Sequence, residues 1–260
     1  MLFDILTIFP EFFDSPLQEG VIRRALLDGK IKVGVHNIRA FAVDRHQMTD
    51  DRPFGGGEGM VMKPEPLAAC LKSLGDRPAA SRVILLSPKG QRFNQQTAQR
   101  LAGLEQLVFI CGRYEGVDER FRDKYVDEEL SIGDYVLTGG ELAALVAVDA
   151  ISRLLPGVLG CEHSAPNDSF SCGLLKHKQY TRPRVFEGTA APEVLLSGDH
   201  AAIARHRFVE SVELTLDRRP DLLPDVHFTP DERKILRRSG LLDRIESLVA
   251  NQGKSSRHEG

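Results

Sequence analysis

The chain has 260 residues, 42% of them hydrophobic and 27% charged, which is enough for a substantial core in one or two domains. A formal net charge of −3 excludes nucleic-acid binding through bulk positive charge alone, although the C-terminal third is mildly basic against an acidic remainder, as suits a weakly basic RNA-contacting end. The four cysteines, Cys70, Cys111, Cys161 and Cys172, form no C-x-x-C pair, which excludes a zinc ribbon or disulfide scaffold and reads as reduced thiols.

Leu2 to Phe9 is an apolar run ended by Pro10 and reads as a first strand. Residues 17–27 repeat apolar side chains at helical spacing up to the stop at Gly29, and 32–38 alternate as a second strand. A Gly-rich stretch over 50–61 follows, then a helix opened by Pro64 and running to about Leu74. Residues 82–87 and 107–111 read as buried strands, with a helix between them capped by Asn94 and running through Leu101. A short helix over 117–122 and a strand over 126–132 lead to Gly139-Gly140, which open an apolar helix over 141–155. Strands alternating with helices predict an α/β domain with a largely parallel sheet over residues 1–156. Residues 157–173 are rich in Gly, Ser, Asn and Pro and read as a flexible interdomain linker. Helical periodicity over 192–218 and 230–249 predicts a small helical second domain over 174–250, and 251–260 read as a disordered tail.

The N-terminus has no basic segment before an apolar run, and no window reaches membrane-spanning length, so the expected location is the cytoplasm. There Asn167-Asp168-Ser169, a match to a glycosylation sequon, would never meet that machinery. The chain has no G-x-G-x-x-G after a strand, no G-x-x-x-x-G-K-[ST] and no H-E-x-x-H. An adenosine cofactor would therefore be held in another way. The eight histidines form no metal-ligand cluster, and no metal site is expected from the protein's ligands.

Three glycine-bearing loops each follow a predicted strand on its C-terminal side, where open α/β sheets bind ligands. They are Leu86-Ser87-Pro88-Lys89-Gly90, the run Cys111 to Asp118 (C-G-R-Y-E-G-V-D), and the run Ser131 to Glu141 (S-I-G-D-Y-V-L-T-G-G-E). Any one of them suits an ordinary strand-to-helix turn. Three together suggest a backbone cradle that offers N–H and C=O groups to an adenine edge.

The strings G-R-Y-E-G-V-D-E-R and S-I-G-D-Y-V-L-T-G-G-E-L-A-A resemble the cofactor-binding motifs of the bacterial tRNA (guanine-N1-)-methyltransferase family, TrmD, of the SPOUT superfamily. D-D-R-P-F-G-G-G-E-G-M-V-M-K-P-E-P upstream is similar to that family's Gly-rich loop. D-S-F-S-C-G-L-L, Q-Y-T-R-P, P-E-V-L-L-S-G-D-H and R-R-P-D-L-L downstream are similar as well, so the resemblance runs from about Met1 to Leu242. It implies a SPOUT-type parallel sheet with a deep trefoil knot, plus a small helical C-terminal domain that grips tRNA. It also implies S-adenosylmethionine as methyl donor, an obligate homodimer whose active sites draw on both chains, and assistance by Mg²⁺. The expected product is tRNA methylated on N1 of guanine 37, 3′ of the anticodon, with a preference for guanine on its 5′ side. By the same resemblance, cofactor contacts fall on Leu86, Ser87, Pro88, Gly112, Tyr114, Gly116, Ser131, Ile132, Gly133, Tyr135, Leu137, Gly139 and Gly140. Tyr135 and Leu137 also suit a core.

Guanine N1 carries a proton at neutral pH and is a poor nucleophile. Methylation needs a base for that proton and a cationic donor for the charge that develops on O6. The resemblance assigns the base to Asp168, which would also suit a helix N-cap or a turn. It assigns the O6 donor to Arg153, which would also suit a helix C-terminus. Glu115 is expected beside the methionyl end of the cofactor, either facing its ammonium or helping to hold Mg²⁺. Asp50, Pro53, Gly57 and Gly59 are expected to place the guanine and its neighbour. Arg182 and His206 are expected on the RNA, with Lys176, Lys178, Arg184, Arg205 and Arg207 available to phosphates.

Two departures lie in the tRNA-binding half. The chain has no Trp, and His206 stands where the family shows Trp before Arg. Lys176-His177-Lys178 stands where relatives show E-x-P before Y-T-R-P. Two other functions remain open: a knotted methyltransferase acting on a ribose 2′-OH or another base, and a non-catalytic RNA-binding module. Asp168 as base and the D-S-F motif speak against the first, and Asp168, Arg153 and Glu115 together against the second.

Overall fold

The computed structural model describes residues 1–160 and 168–255. The chain divides into two compact units, Met1–Glu162 and His163–Gly260.

In the first unit, β1 (Leu2–Thr7) leads through a 3₁₀ turn at Pro10–Phe13 to α1 (Asp14–Leu17), α2 (Gly20–Leu27) and β2 (Lys32–Asn37). The two-residue strands β3 (Asp50–Asp51) and β4 (Val61–Met62) pair across the Gly-rich stretch. Then come α3 (Pro64–Lys72), β5 (Ser81–Arg92), α4 (Gln95–Ala102), β6 (Gln106–Cys111), α5 (Glu119–Tyr125), β7 (Glu128–Ser131) and α6 (Glu141–Ser152). The central sheet has the order β2-β1-β6-β5-β7, and every pairing is parallel.

Side-chain alternation explains the layers. On β1, Phe3 and Ile5 face one hydrophobic cluster and Leu6 faces the other. On β6, Leu107, Phe109 and Cys111 oppose Val108 and Ile110 in the same way. Both faces are covered, so the apolar run Q-L-V-F-I-C is buried at every position. α6 packs Ala144, Val148 and Ile151 on the first face, and α3 packs Leu67, Cys70 and Leu71 on the second. Among the described residues, no helix is long and apolar enough to cross a membrane.

The expected elements form, with local differences. Asn94 caps α4 by accepting from the Thr97 N–H at 2.9 Å, and Pro64 opens α3 as expected. The expected helix over 117–122 begins later, because the Asp118 side chain accepts from the Arg120 N–H and caps Glu119–Tyr125 instead. β5 does not end at Ser87. It continues to Arg92, because Leu86 and Gln91 both pair with Leu130 and residues 87–90 bulge from the ladder.

The second unit carries a short hairpin, β8 (Val185–Phe186) with β9 (Thr189–Ala190), then α7 (His200–Arg218), α8 (Pro230–Arg238) and α9 (Leu242–Ser255). Asp199 caps α7, and a Thr229–Glu232 capping box opens α8. The periodic stretch 230–249 is two helices, because Gly240 takes φ 70° after Ser239 and ends the first. Leu174, Val212, Leu216, Leu223, Leu236 and Ile245 form this unit's core. Residues 161–167, with Cys161 and Asn167 of the expected linker, and 256–260 of the expected tail lie outside the described residues.

Candidate active site

β5, β6 and β7 are parallel neighbours, so their C-terminal ends emerge on one edge of the sheet. A cleft of about 800 Å³ lies there, lined by all three glycine loops.

The first loop is the bulge in β5. Ser87 Oγ accepts from the Lys89 N–H at 3.1 Å, and Gly90 crosses so close to the Glu129–Leu130 backbone that a Cβ would collide with it. The second loop turns through Tyr114 at φ 59° and Gly116 at φ 118°, conformations that favour glycine at the latter. It is stitched to the Gly-rich stretch by backbone bonds. Glu115 N donates to Met60 O (2.9 Å), Met62 N to Gly116 O (2.9 Å) and Asp118 N to Met62 O (3.0 Å). The third loop folds on itself, with Ser131 Oγ bonded to Gly133 and the Tyr135 hydroxyl donating to Ile132 O at 3.3 Å. It meets the second loop where Gly140 N donates to Gly112 O at 3.0 Å. A Cβ on Gly140 would lie 2.8 Å from the Cys111 Cα, so only glycine lets the two loops close to this distance.

Beneath the loops lies a charged network that sequence reasoning missed. Glu141, 1% exposed, accepts from Thr7 Oγ1 at 2.7 Å and from Arg113 Nε at 3.1 Å, with the second guanidinium nitrogen at 3.0 Å. The guanidinium lies 4.5 Å from the centre of the Phe9 ring. The end of β1, the loop after β6 and the first turn of α6 are thereby tied together. The signal was present as an Arg and a Glu beside glycines in G-R-Y and G-G-E, but nothing in their spacing shows that they meet. Burial, and after it the charge of Glu141, holds the Cys111 thiol well above its ordinary range, so this cysteine is inert.

Every residue expected to contact a cofactor lines this cleft, and so do Glu115 and Pro53. Tyr135 is 55% exposed and is not a core residue, while Leu137 is half-buried. Asp50, Gly57 and Gly59 do not line the cleft, but two of them touch residues that do. A Cβ on Gly59 would sit 2.5 Å from Glu115 Oε1. Asp50 faces the Tyr114 hydroxyl, whose pKa is raised first by burial and then by the Asp50 charge, with Arg39 acting the other way. Phe54 and Val136 line the cleft and are 96% and 88% exposed.

Arg153 caps the far end of α6 and does not line the cleft. The cleft reaches the helix at Gly140 and Ala143, and a helix of 12 residues spans about 18 Å. Within one chain, Arg153 and the cleft are therefore at opposite ends of the helix. Asp168, Arg182 and His206 belong to the second unit. There Asp168 Oδ1 accepts from Lys176 Nζ at 2.8 Å. Arg182 is exposed, and the buried Nε2 of His206 has no hydrogen-bond partner among the described residues. No three His, Cys, Asp or Glu side chains converge to hold a metal ion among the described residues.

The chain matches the family model for tRNA (Guanine-1)-methyltransferase TrmD over residues 1–225. It is similar to the tRNA (guanine-N(1)-)-methyltransferase of Geobacter sulfurreducens, with 56% identity over 237 residues, 91% of this chain and 96% of that protein. The protein of the same name from Geotalea uraniireducens is 56% identical over 236 residues, 91% and 96% of the two chains. That from Citrifermentans bemidjiense is 50% identical over 257 residues, 99% of this chain and all of the relative.

Proposed function

The chain belongs to the TrmD family of tRNA (guanine-1)-methyltransferases, and on that premise we propose that it methylates N1 of guanine 37 in tRNA, preferring a guanine on the 5′ side. The observation that carries the reading is the convergence of the three glycine loops on one cleft at the C-terminal edge of the sheet. Half-buried backbone at Gly112, Gly116 and Gly139 lines the cleft beside apolar Leu86, Ile132, Leu137 and Ala143, a mixture that suits a purine nucleoside with a short polar tail. S-adenosylmethionine, when bound there, supplies an electrophilic methyl group on a positively charged sulfonium.

The protein's own residues do the rest. Gly140 and Gly90 hold the loops closed by close backbone approach, which keeps the cradle rigid. Glu115 presents a carboxylate at the rim, facing the ammonium of the methionyl tail or anchoring a hydrated Mg²⁺, for which one carboxylate suffices. Asp50 and the backbone at Pro53, Gly57 and Gly59 receive the guanine and its neighbour. Asp168 takes the N1 proton, and Arg153 donates to O6 as negative charge develops there. Arg182 and His206 meet the RNA.

The position of Arg153 supports a homodimer with shared sites, since one chain keeps it a helix length from its own cleft. So does an apolar surface on the first unit, where Phe9, Phe12, Leu142 and Val146 are 40–50% exposed. In this reading residues 1–156 form a SPOUT-type cofactor domain with a deep trefoil knot, 157–173 an interdomain linker, and 174–250 a helical tRNA-binding domain, and the enzyme works in the cytoplasm.

The test is methyl transfer from labelled S-adenosylmethionine to tRNA transcripts. Transfer to a transcript with guanine at 37, its loss with adenine at 37 and its weakening when the 5′ guanine is replaced are expected. Equal transfer to all three would overturn the reading. Cofactor binding without transfer to any of them would leave an RNA-binding module.

A further inference from the structure

We propose that Lys176 is a positioning residue that holds the Asp168 carboxylate ionised and aimed for the proton it takes from guanine N1. The inference rests on the reading of Asp168 as the base. Residues 168–176 fold into a compact turn. Phe170 N donates to Leu174 O at 2.8 Å, and Lys176 N donates to Ser169 Oγ at 3.0 Å. The turn is anchored to α7, because Leu175 N donates to the fully buried Thr215 Oγ1 at 2.9 Å. Lys176 is thus fixed at its backbone, and its ammonium reaches back 2.8 Å to Asp168 Oδ1. The two side chains are 35% and 20% exposed, so water screens the pair only in part.

The charge balance gives this contact a role. Closing the site over a carboxylate strips it of water and favours its protonated form, which cannot accept the N1 proton. An ammonium in contact favours the ionised form and opposes that effect. In the step itself the N1–H bond breaks, an O–H bond forms on Asp168, N1 bonds to the methyl carbon, and the C–S bond breaks with its electron pair returning to sulfur. Two other cations beside this turn have carboxylate partners of their own. Arg219, whose guanidinium lies 5.6 Å from the Phe170 ring, binds Asp221 at 2.7 Å, and Lys178 lies 3.8 Å from Glu210. Lys176 places its ammonium in contact with the base.

The experiment is single-turnover methyl transfer against pH for the full-length enzyme, Lys176→Gln and Lys176→Arg, with cofactor and tRNA affinities measured alongside. For Lys176→Gln the acidic limb moves to higher pH by about one unit, a rate loss of about tenfold on that limb that closes towards the alkaline plateau. Lys176→Arg keeps the wild-type limb and the wild-type tRNA affinity, and cofactor affinity stays within about twofold of wild type in both variants. A Lys176→Gln profile that superimposes on wild type, or one lowered equally at every pH, overturns the proposal. Asp168→Asn separates the two levels. If it retains the wild-type rate, the base assignment itself is wrong. If it abolishes transfer while Lys176→Gln leaves the profile in place, only the role of Lys176 fails.

Discussion

Replacing Glu141 by alanine removes the group that ties together the end of β1, the loop after β6 and the start of α6 below the cleft. The substitution strands a Thr7 hydroxyl that is fully buried and an Arg113 guanidinium whose side chain is 19% exposed. Breaking a buried ion pair from one side costs about 3–5 kcal/mol. Arg113 retains some water and the Phe9 ring, so the lower end, about 3 kcal/mol, is expected. The lost helix N-terminal charge adds about 0.3–1 kcal/mol, too little to decide the outcome. Glu141→Gln keeps an acceptor for Thr7 and Arg113 and should cost about 1–2 kcal/mol, near the worth of one charged hydrogen bond. The assay is urea unfolding, with the midpoint falling and the slope unchanged. Cofactor affinity should fall with stability, because Arg113 and Gly139 lie on the cleft wall. A Glu141→Ala loss below about 1 kcal/mol, with the slope unchanged, would refute the view that this network holds the loops together.

Gly140→Ala should weaken cofactor binding at least about tenfold and cost about 1–3 kcal/mol, because its Cβ must push the Cys111 backbone away; isothermal titration and urea unfolding check both. Burial pushes the Cys70 thiol up to about 12, and Cys111 is raised as well. Alkylation mapped by mass spectrometry should therefore leave both intact in the folded protein while exposed Cys172 reacts. The Tyr114 phenol is raised above 10.0, chiefly by burial and then by Asp50. The folded state thus holds that proton more tightly, and the stability it contributes is present below pH 10 and lost as pH rises through the folded pKa. Tyr114→Phe should flatten that alkaline fall, and an unchanged slope would contradict it.

The alternation of strands and helices was legible because apolar periodicity is local, and the three glycine loops were legible because they follow strands. Other features depend on contacts across the chain. Pro88 and Gly90 mark a turn in the sequence, yet β5 resumes beyond them because Gly90 can press against β7. Two-residue β3 and β4 carry no pattern to read. The Thr7–Arg113–Glu141 network joins residues up to 134 positions apart, and the contact of Lys176 with Asp168 arises from a turn closed by its own hydrogen bonds and anchored on α7 through Thr215.

The most direct measurement is to digest a guanine-37 transcript after incubation with enzyme and S-adenosylmethionine, and to identify the modified nucleoside and its position by mass spectrometry. 1-Methylguanosine at position 37 alone is expected, absent with Asp168→Asn. A methyl group on a ribose, on another base, or undiminished in that variant would contradict it.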